Sequence, residues 1–163
     1  MTHFIRLPTP ALWLTALLTW TACSSGADGP DAGTKAARAG YMACQLIGGY
    51  DRLFVFRADS SRGTCTRLVL ASPDSFSAIA LTLPSGWGVQ EGAISNQASD
   101  CGKTTASGSV VAANGGTGTV DWMPPQGFPS QLSAHATLTF TQSGWVPATD
   151  RFDADAIAVS SCR

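Results

Sequence analysis

Charge is scarce in this chain. Asp, Glu, Lys and Arg make up 13% of its 163 residues, about half the share of an ordinary soluble domain. Ten Lys and Arg stand against eleven Asp and Glu, and no basic run occurs along the domain, so the electrostatic footprint of a nucleic-acid binder is missing. Glutamate is reduced to Glu91, and beyond the first few residues histidine is reduced to His135. There is no C-x-x-C, no zinc-type cysteine spacing, no G-x-S-x-G elbow and no twelve-residue EF-hand loop. Redox catalysis, a structural zinc site and a serine hydrolase each lack the residues they need, and neither cofactor nor metal is expected. No segment shows convincing helical periodicity.

What is present begins with an export pattern. Arg6 precedes a mainly apolar run of ten, Ala11 to Trp20, half the length of about twenty residues that spans a bilayer, so the run reads as a signal. Thr21-Ala22-Cys23 follows and resembles the lipobox cut by signal peptidase II of bacterial lipoproteins. Trp20 stands where that family usually places Leu, and cleavage after Ala27, behind Ser25-Gly26, is the alternative. The resemblance implies a signal peptide over residues 1–22 and acylation of Cys23 with palmitate-type chains. Residues 23–39, rich in Gly, Ser, Ala and Asp, lack the apolar side chains needed to order themselves. As a coil of roughly sixteen residues they would hold the domain roughly 20 to 25 Å from its anchor. Ser24 rather than Asp after Cys23 implies, by the same resemblance, delivery to the outer membrane.

Cysteine parity gives an independent argument. Five cysteines leave one unpaired in an oxidising compartment; removal of Cys23 by acylation or cleavage leaves Cys44, Cys65, Cys101 and Cys162. Their separations of 21, 36 and 61 residues suit two disulfides rather than zinc. Three connectivities are open. The expectation is Cys44 with Cys65, flanking the first hydrophobic strand, and Cys101 with Cys162.

Residues 40–163 read as one all-β domain. Leu132, Ala134, Ala136, Leu138 and Phe140 alternate with Ser133, His135, Thr137 and Thr139, the pattern of a strand with one buried face. The near-continuous apolar runs at 53–56 and 68–71 predict two central strands of a hairpin across the polar loop 59–63. A second hairpin is expected about Asn114-Gly115, and shorter strands at 44–47, 78–83, 87–94 and 156–161. The expected architecture is a two-layer antiparallel β-sandwich of about eight strands with two disulfides. A short helical turn is expected from Lys35, capped by Thr34.

Candidate chemistry is thin. His135 lies on a polar strand face with no nucleophile assigned to it. Asp150, Asp153 and Asp155 could offer oxygens to calcium, or lie in a solvated loop offsetting Arg52, Arg57, Arg62 and Arg67. Glu91 paired with Asp121 or Asp153 is the carboxylate pair that an envelope glycosidase would use. Trp87 and Trp145 each follow Ser-Gly and are candidate ligand contacts, since a flat aromatic face stacks on sugar rings or partner proteins; with Trp122 they equally suit a core.

The lipobox, the acidic Gly and Ser tether and the four-cysteine β domain together resemble small uncharacterised bacterial lipoproteins of the myxobacterial type. That resemblance covers organisation only. It implies attachment to the envelope membrane by lipid and brings no activity with it. The expectation is a non-enzymatic, envelope-tethered module that binds a carbohydrate or an envelope protein, or serves structurally. A glycoside-type envelope hydrolase is the alternative, and a subunit with an exposed apolar patch is a third reading.

Overall fold

The computed structural model describes residues 40–48, 50–124 and 128–162. The expected signal peptide, Cys23, the expected tether and the turn expected after Lys35 lie outside these. The strands are β1 (Tyr41–Leu46), β2 (Asp51–Asp59), β3 (Thr64–Ser72), β4 (Ile79–Thr82), β5 (Gly88–Ser95), β6 (Val110–Ala112), β7 (Gly115–Met123), β8 (Gln131–Thr139) and β9 (Thr149–Ser161). No α-helix occurs among the described residues.

All nine strands belong to one curled sheet in the order β4-β7-β8-β9-β1-β2-β3-β5-β6. Two neighbour pairs, β1 with β9 and β4 with β7, run parallel. The all-β class and the two disulfides agree with the sequence reading, whereas separate, purely antiparallel layers of about eight strands do not. The physical reason is β9. Its thirteen residues pair with β8 along most of their length and with β1 at their end, so one strand serves both halves. Leu53, Val55, Leu68 and Leu70 from one half meet Val120, Leu132, Leu138 and Phe152 from the other in a single core.

The β2–β3 hairpin forms as expected, in register from Asp51 opposite Ser72 to Asp59 opposite Thr64. Both of its faces are buried. Leu53, Val55, Leu68 and Leu70 face the main core, while Phe54, Phe56, Cys65 and Val69 form a second cluster on the outward side. The hairpin expected at Asn114-Gly115 does not form. β6 pairs with β5, and β7 pairs with β4 and β8, so the doublet carries the chain from one half of the sheet to the other. The Asn114 N–H donates to the Thr139 carbonyl at 2.9 Å, which fixes that crossing. The doublet marked a change of direction, but the partner strand was set by where each apolar face could be buried.

The outward cluster is capped by the segment after β5, wound about the buried Asp100 carboxylate. The Ser95 hydroxyl, the Ser107 N–H and hydroxyl, and the Gly108 N–H all donate to it. Burial alone raises a carboxyl pKa, yet these hydroxyls and N–H groups outweigh it and hold Asp100 well below the ordinary carboxylate range. A depressed folded pKa contributes stability above the unfolded value near 3.9, and that stability is lost as pH falls below it. Replacing Asp100 by Asn therefore costs about 1 to 3 kcal/mol at pH 7. In urea unfolding, the gap between the two proteins narrows steadily below about pH 4; an unchanged gap at pH 3 contradicts this account.

Candidate binding groove

β1 and β9 pair over only three residues, Ala43 with Val159, Cys44 with Ser160 and Gln45 with Ser161. Upstream the two strands fork. The cause is a bulge in β9, where Asp155 and Ala156 together stand opposite Ser133, between the pairs Ala134–Ala154 and Leu132–Ile157. Ala156 has φ +57°, the only positive value at a non-glycine among the described residues. Its N–H donates to the Ser133 hydroxyl and its carbonyl accepts from the Gln131 amide, each at 3.3 Å. An L-residue in this conformation carries a cost of about 1 to 2 kcal/mol that glycine escapes. After the greater chain entropy of glycine is set against this, Ala156→Gly raises the unfolding free energy by about 0.5 to 1 kcal/mol, read in urea. A loss of stability would show that the bulge is not strained.

The fork opens an apolar groove of about 400 Å³, lined by Tyr41, Met42, Phe56, Ala156, Ala158 and Ser160 among others. Phe56 in the groove wall stacks on Phe54, ring centroids 6.0 Å apart. Cys44 also lines the groove, and its disulfide to Cys162 closes the end where the strands rejoin. Beyond it the same face of β1 stays apolar: Leu46 is partly exposed, and Ile47 and Tyr50 in the following turn are exposed. Residues of this kind in a concave, mostly apolar site are typical of ligand pockets.

Polar groups stand beside the groove residues Tyr41 and Ala156. The Asp153 N–H donates to Tyr41 Oη at 3.0 Å, while the Tyr41 ring packs on Phe152. His135 lies opposite Asp153 on the outward face of β8. Its Nδ1 meets Asp153 Oδ1 and its Nε2 meets Asp155 Oδ1, each at 3.0 Å. Only the imidazolium donates from both nitrogens, and the hydrogen bonds to Asp153 and then Asp155 raise the His135 pKa while His135 lowers that of Asp153. Both ring nitrogens are thus engaged in holding a proton between carboxylates.

The disulfides are Cys44–Cys162 and Cys65–Cys101, correcting the expected pairing of Cys44 with Cys65 and Cys101 with Cys162. Cys44 sits beside the end of β9 rather than across β2 from Cys65, because β1 is the strand that receives the C-terminal end of the chain. The three aspartates do not converge. Alternation along β9 turns Asp150 inward, where it accepts from Arg57, Arg62 and Thr66, while Asp153 and Asp155 turn out to His135. Asp150 thus offsets two of the arginines, as one reading of the sequence had it, but from within a strand. Among the described residues no three His, Cys, Asp or Glu side chains are grouped to hold a metal ion.

Glu91 faces outward from β5 and accepts from Arg67 Nε and Nη2 at 3.0 and 2.7 Å. Asp121 faces outward from β7, opposite Ser133. The carboxylates paired from sequence are therefore divided between the outward faces of the two halves. Trp87 packs edge-on against Trp122 with centroids 5.1 Å apart and joins the rim of the main core. Trp145 is 38% exposed, in the turn closed by the Ser143–Val146 bridge. The groove residues Tyr41, Met42, Ala156 and Ala158 carried no signal as a site. Ala156 and Ala158 read simply as strand, and no glycine marks the bulge.

No family model matches this chain. Nor does any curated protein or solved structure.

Proposed function

We propose that the chain is a non-enzymatic lipoprotein of the bacterial outer membrane, anchored through Cys23, whose β domain binds a ligand in the groove between β1 and β9. The two halves of the curled sheet play the part of sandwich layers in this reading. The apolar groove carries it: a sheet that opens beside a strained bulge leaves concave apolar surface that continuous strand pairing would have covered. Two disulfides fit an oxidising compartment. A glycosidase would need two carboxylates about 5 to 10 Å apart across one cleft, and Glu91 and Asp121 face out from different halves.

Two measurements test this reading. Intact mass of the protein from its host membrane should begin at Cys23 with added acyl chains and gain four hydrogens on reduction; a soluble product beginning after Ala27 refutes the anchor. The fluorescent apolar probe bis-ANS should bind the protein, and Ala158→Trp, which fills the groove, should weaken that binding at least tenfold. Equal binding by both proteins refutes the groove as the ligand site.

A further inference from the structure

We infer that the groove takes an extended peptide carrying apolar side chains and a cationic residue, which adds to the open edge of β1 as a short strand. This rests on the reading of the groove as the ligand site and names the class of its ligand.

The backbone at the fork points to a peptide. The Gly40 carbonyl accepts from the Ala58 N–H, towards β2, and the Gln45 carbonyl accepts from the Cys162 N–H, towards β9. Backbone groups alternate sides along a strand, so Tyr41, Ala43 and Gln45 all face β9. The ladder to β9 begins only at Ala43. On the other side of the fork, the Val159 N–H is directed to Ser130 on the β8 side, which leaves the Ala158 N–H facing β1. The paired residues of that ladder run from Ala43 with Val159 to Gln45 with Ser161, so Tyr41 and the Ala158 N–H lie beyond its end. A hydrocarbon chain would bury these groups without satisfying them, whereas a peptide supplies a matching donor and acceptor at every second residue. Open strand edges are templates for such pairing.

Side chains and charge agree. The groove presents Met42, Phe56 and Ala158 to the alternate side chains of a strand rising about 3.3 Å per residue. Next to the groove residues Tyr41, whose hydroxyl takes the Asp153 N–H, and Ala156, which follows Asp155, the side chains of Asp153 and Asp155 are 55% and 74% exposed. The charged groups facing them are His135 from β8 and Arg151 beside Asp153 on β9, and Asp155 is the carboxylate left most open to a partner's Lys or Arg. β7 presents Thr119 opposite His135.

The test uses the full chain from host membranes, reconstituted in lipid nanodiscs, and three probes. These are the capped peptide Lys-Val-Thr-Val-Thr-Val, the same peptide N-methylated at alternate residues, and dodecanoate. The unmodified peptide should bind, slow amide exchange at Tyr41 and Ala158 at least tenfold, and lose at least tenfold in affinity on N-methylation and in the Ala158→Trp protein. Binding of dodecanoate but of neither peptide overturns the peptide ligand and leaves the groove standing as an apolar site. Equal binding of both peptides overturns strand addition, and binding unaffected by Ala158→Trp places the peptide elsewhere. If bis-ANS and all three probes fail to bind, the groove reading falls with the inference.

Discussion

Replacing Cys44 and Cys162 together by serine lowers the unfolding free energy by about 4 to 5 kcal/mol, against about 3 to 4 kcal/mol for Cys65 and Cys101. The difference follows from the loops the two bonds close, 118 residues against 36, since cross-linking a longer loop removes more freedom from the unfolded chain. The pairing expected from order along the chain would have closed loops of 21 and 61 residues. In that case the variant lacking Cys44 and its partner would be the less affected one. Urea unfolding of the two double variants reads the order directly; a larger loss on removing Cys65 and Cys101 contradicts the loop-length account. The Cys44–Cys162 variant should also lose the groove, because the bond holds β1 and β9 together where they rejoin beyond the fork.

The second large effect is expected at Asp150. This carboxylate is buried where β9 meets the β2–β3 hairpin, and it receives Arg57, Arg62 and the Thr66 hydroxyl. Arg62 also reaches Asp59 in the hairpin turn, at 2.7 Å, and that bond, with Asp150, raises the Arg62 pKa. Asp150→Ala leaves two guanidinium groups facing each other over a void and a buried hydroxyl without its acceptor. Removing one partner of a buried pair costs about 3 to 5 kcal/mol. The arginine side chains keep 23% and 37% of their surface in water, so the expected loss falls just below that range, about 2 to 3 kcal/mol. Calorimetric melting of Asp150→Ala and Arg62→Ala checks it. The aspartate variant should be the less stable, since Arg57 still balances Asp150 when Arg62 is gone; the reverse order would mean that the carboxylate is not the centre of the cluster.

Much of the fold was legible because short-range patterning decides it. Leu132 to Phe140 alternates over its full length, and β8 covers that stretch up to Thr139, with one face in the core. The runs at 53–56 and 68–71 are apolar on every residue, which only strands covered on both faces require, and both are so covered. Partner choice was not legible. Asn114-Gly115 has the chemistry of a tight turn, yet its flanking strands pair elsewhere, because pairing depends on contacts far apart in sequence. The parallel β1–β9 contact joins residues 43–45 to 159–161, beyond the reach of any local signal, and the disulfide connectivity depends on it. The groove was illegible for the same reason. It is a gap between strands from the two ends of the domain, shaped by one backbone angle at Ala156 that its side chain does not announce. His135 and the aspartates were visible as residue types, but their division between inside and outside required knowing that β9 continues unbroken through Asp150.

The staple between β1 and β9 also determines how the domain answers mechanical load. In the anchored protein that we propose, a pull on the chain before the domain would enter at Gly40, where the chain turns with φ +77° and a β-carbon would lie 2.7 Å from the Ala58 carbonyl. Tyr41, Met42 and Ala43 can be peeled from β2 before the force reaches Cys44. From there it passes through a covalent bond into the longest strand of the sheet. The residues that yield first are those that form one wall of the groove, so in the anchored, ligand-binding protein that we propose, tension would loosen the grip on a ligand well before it threatened the fold.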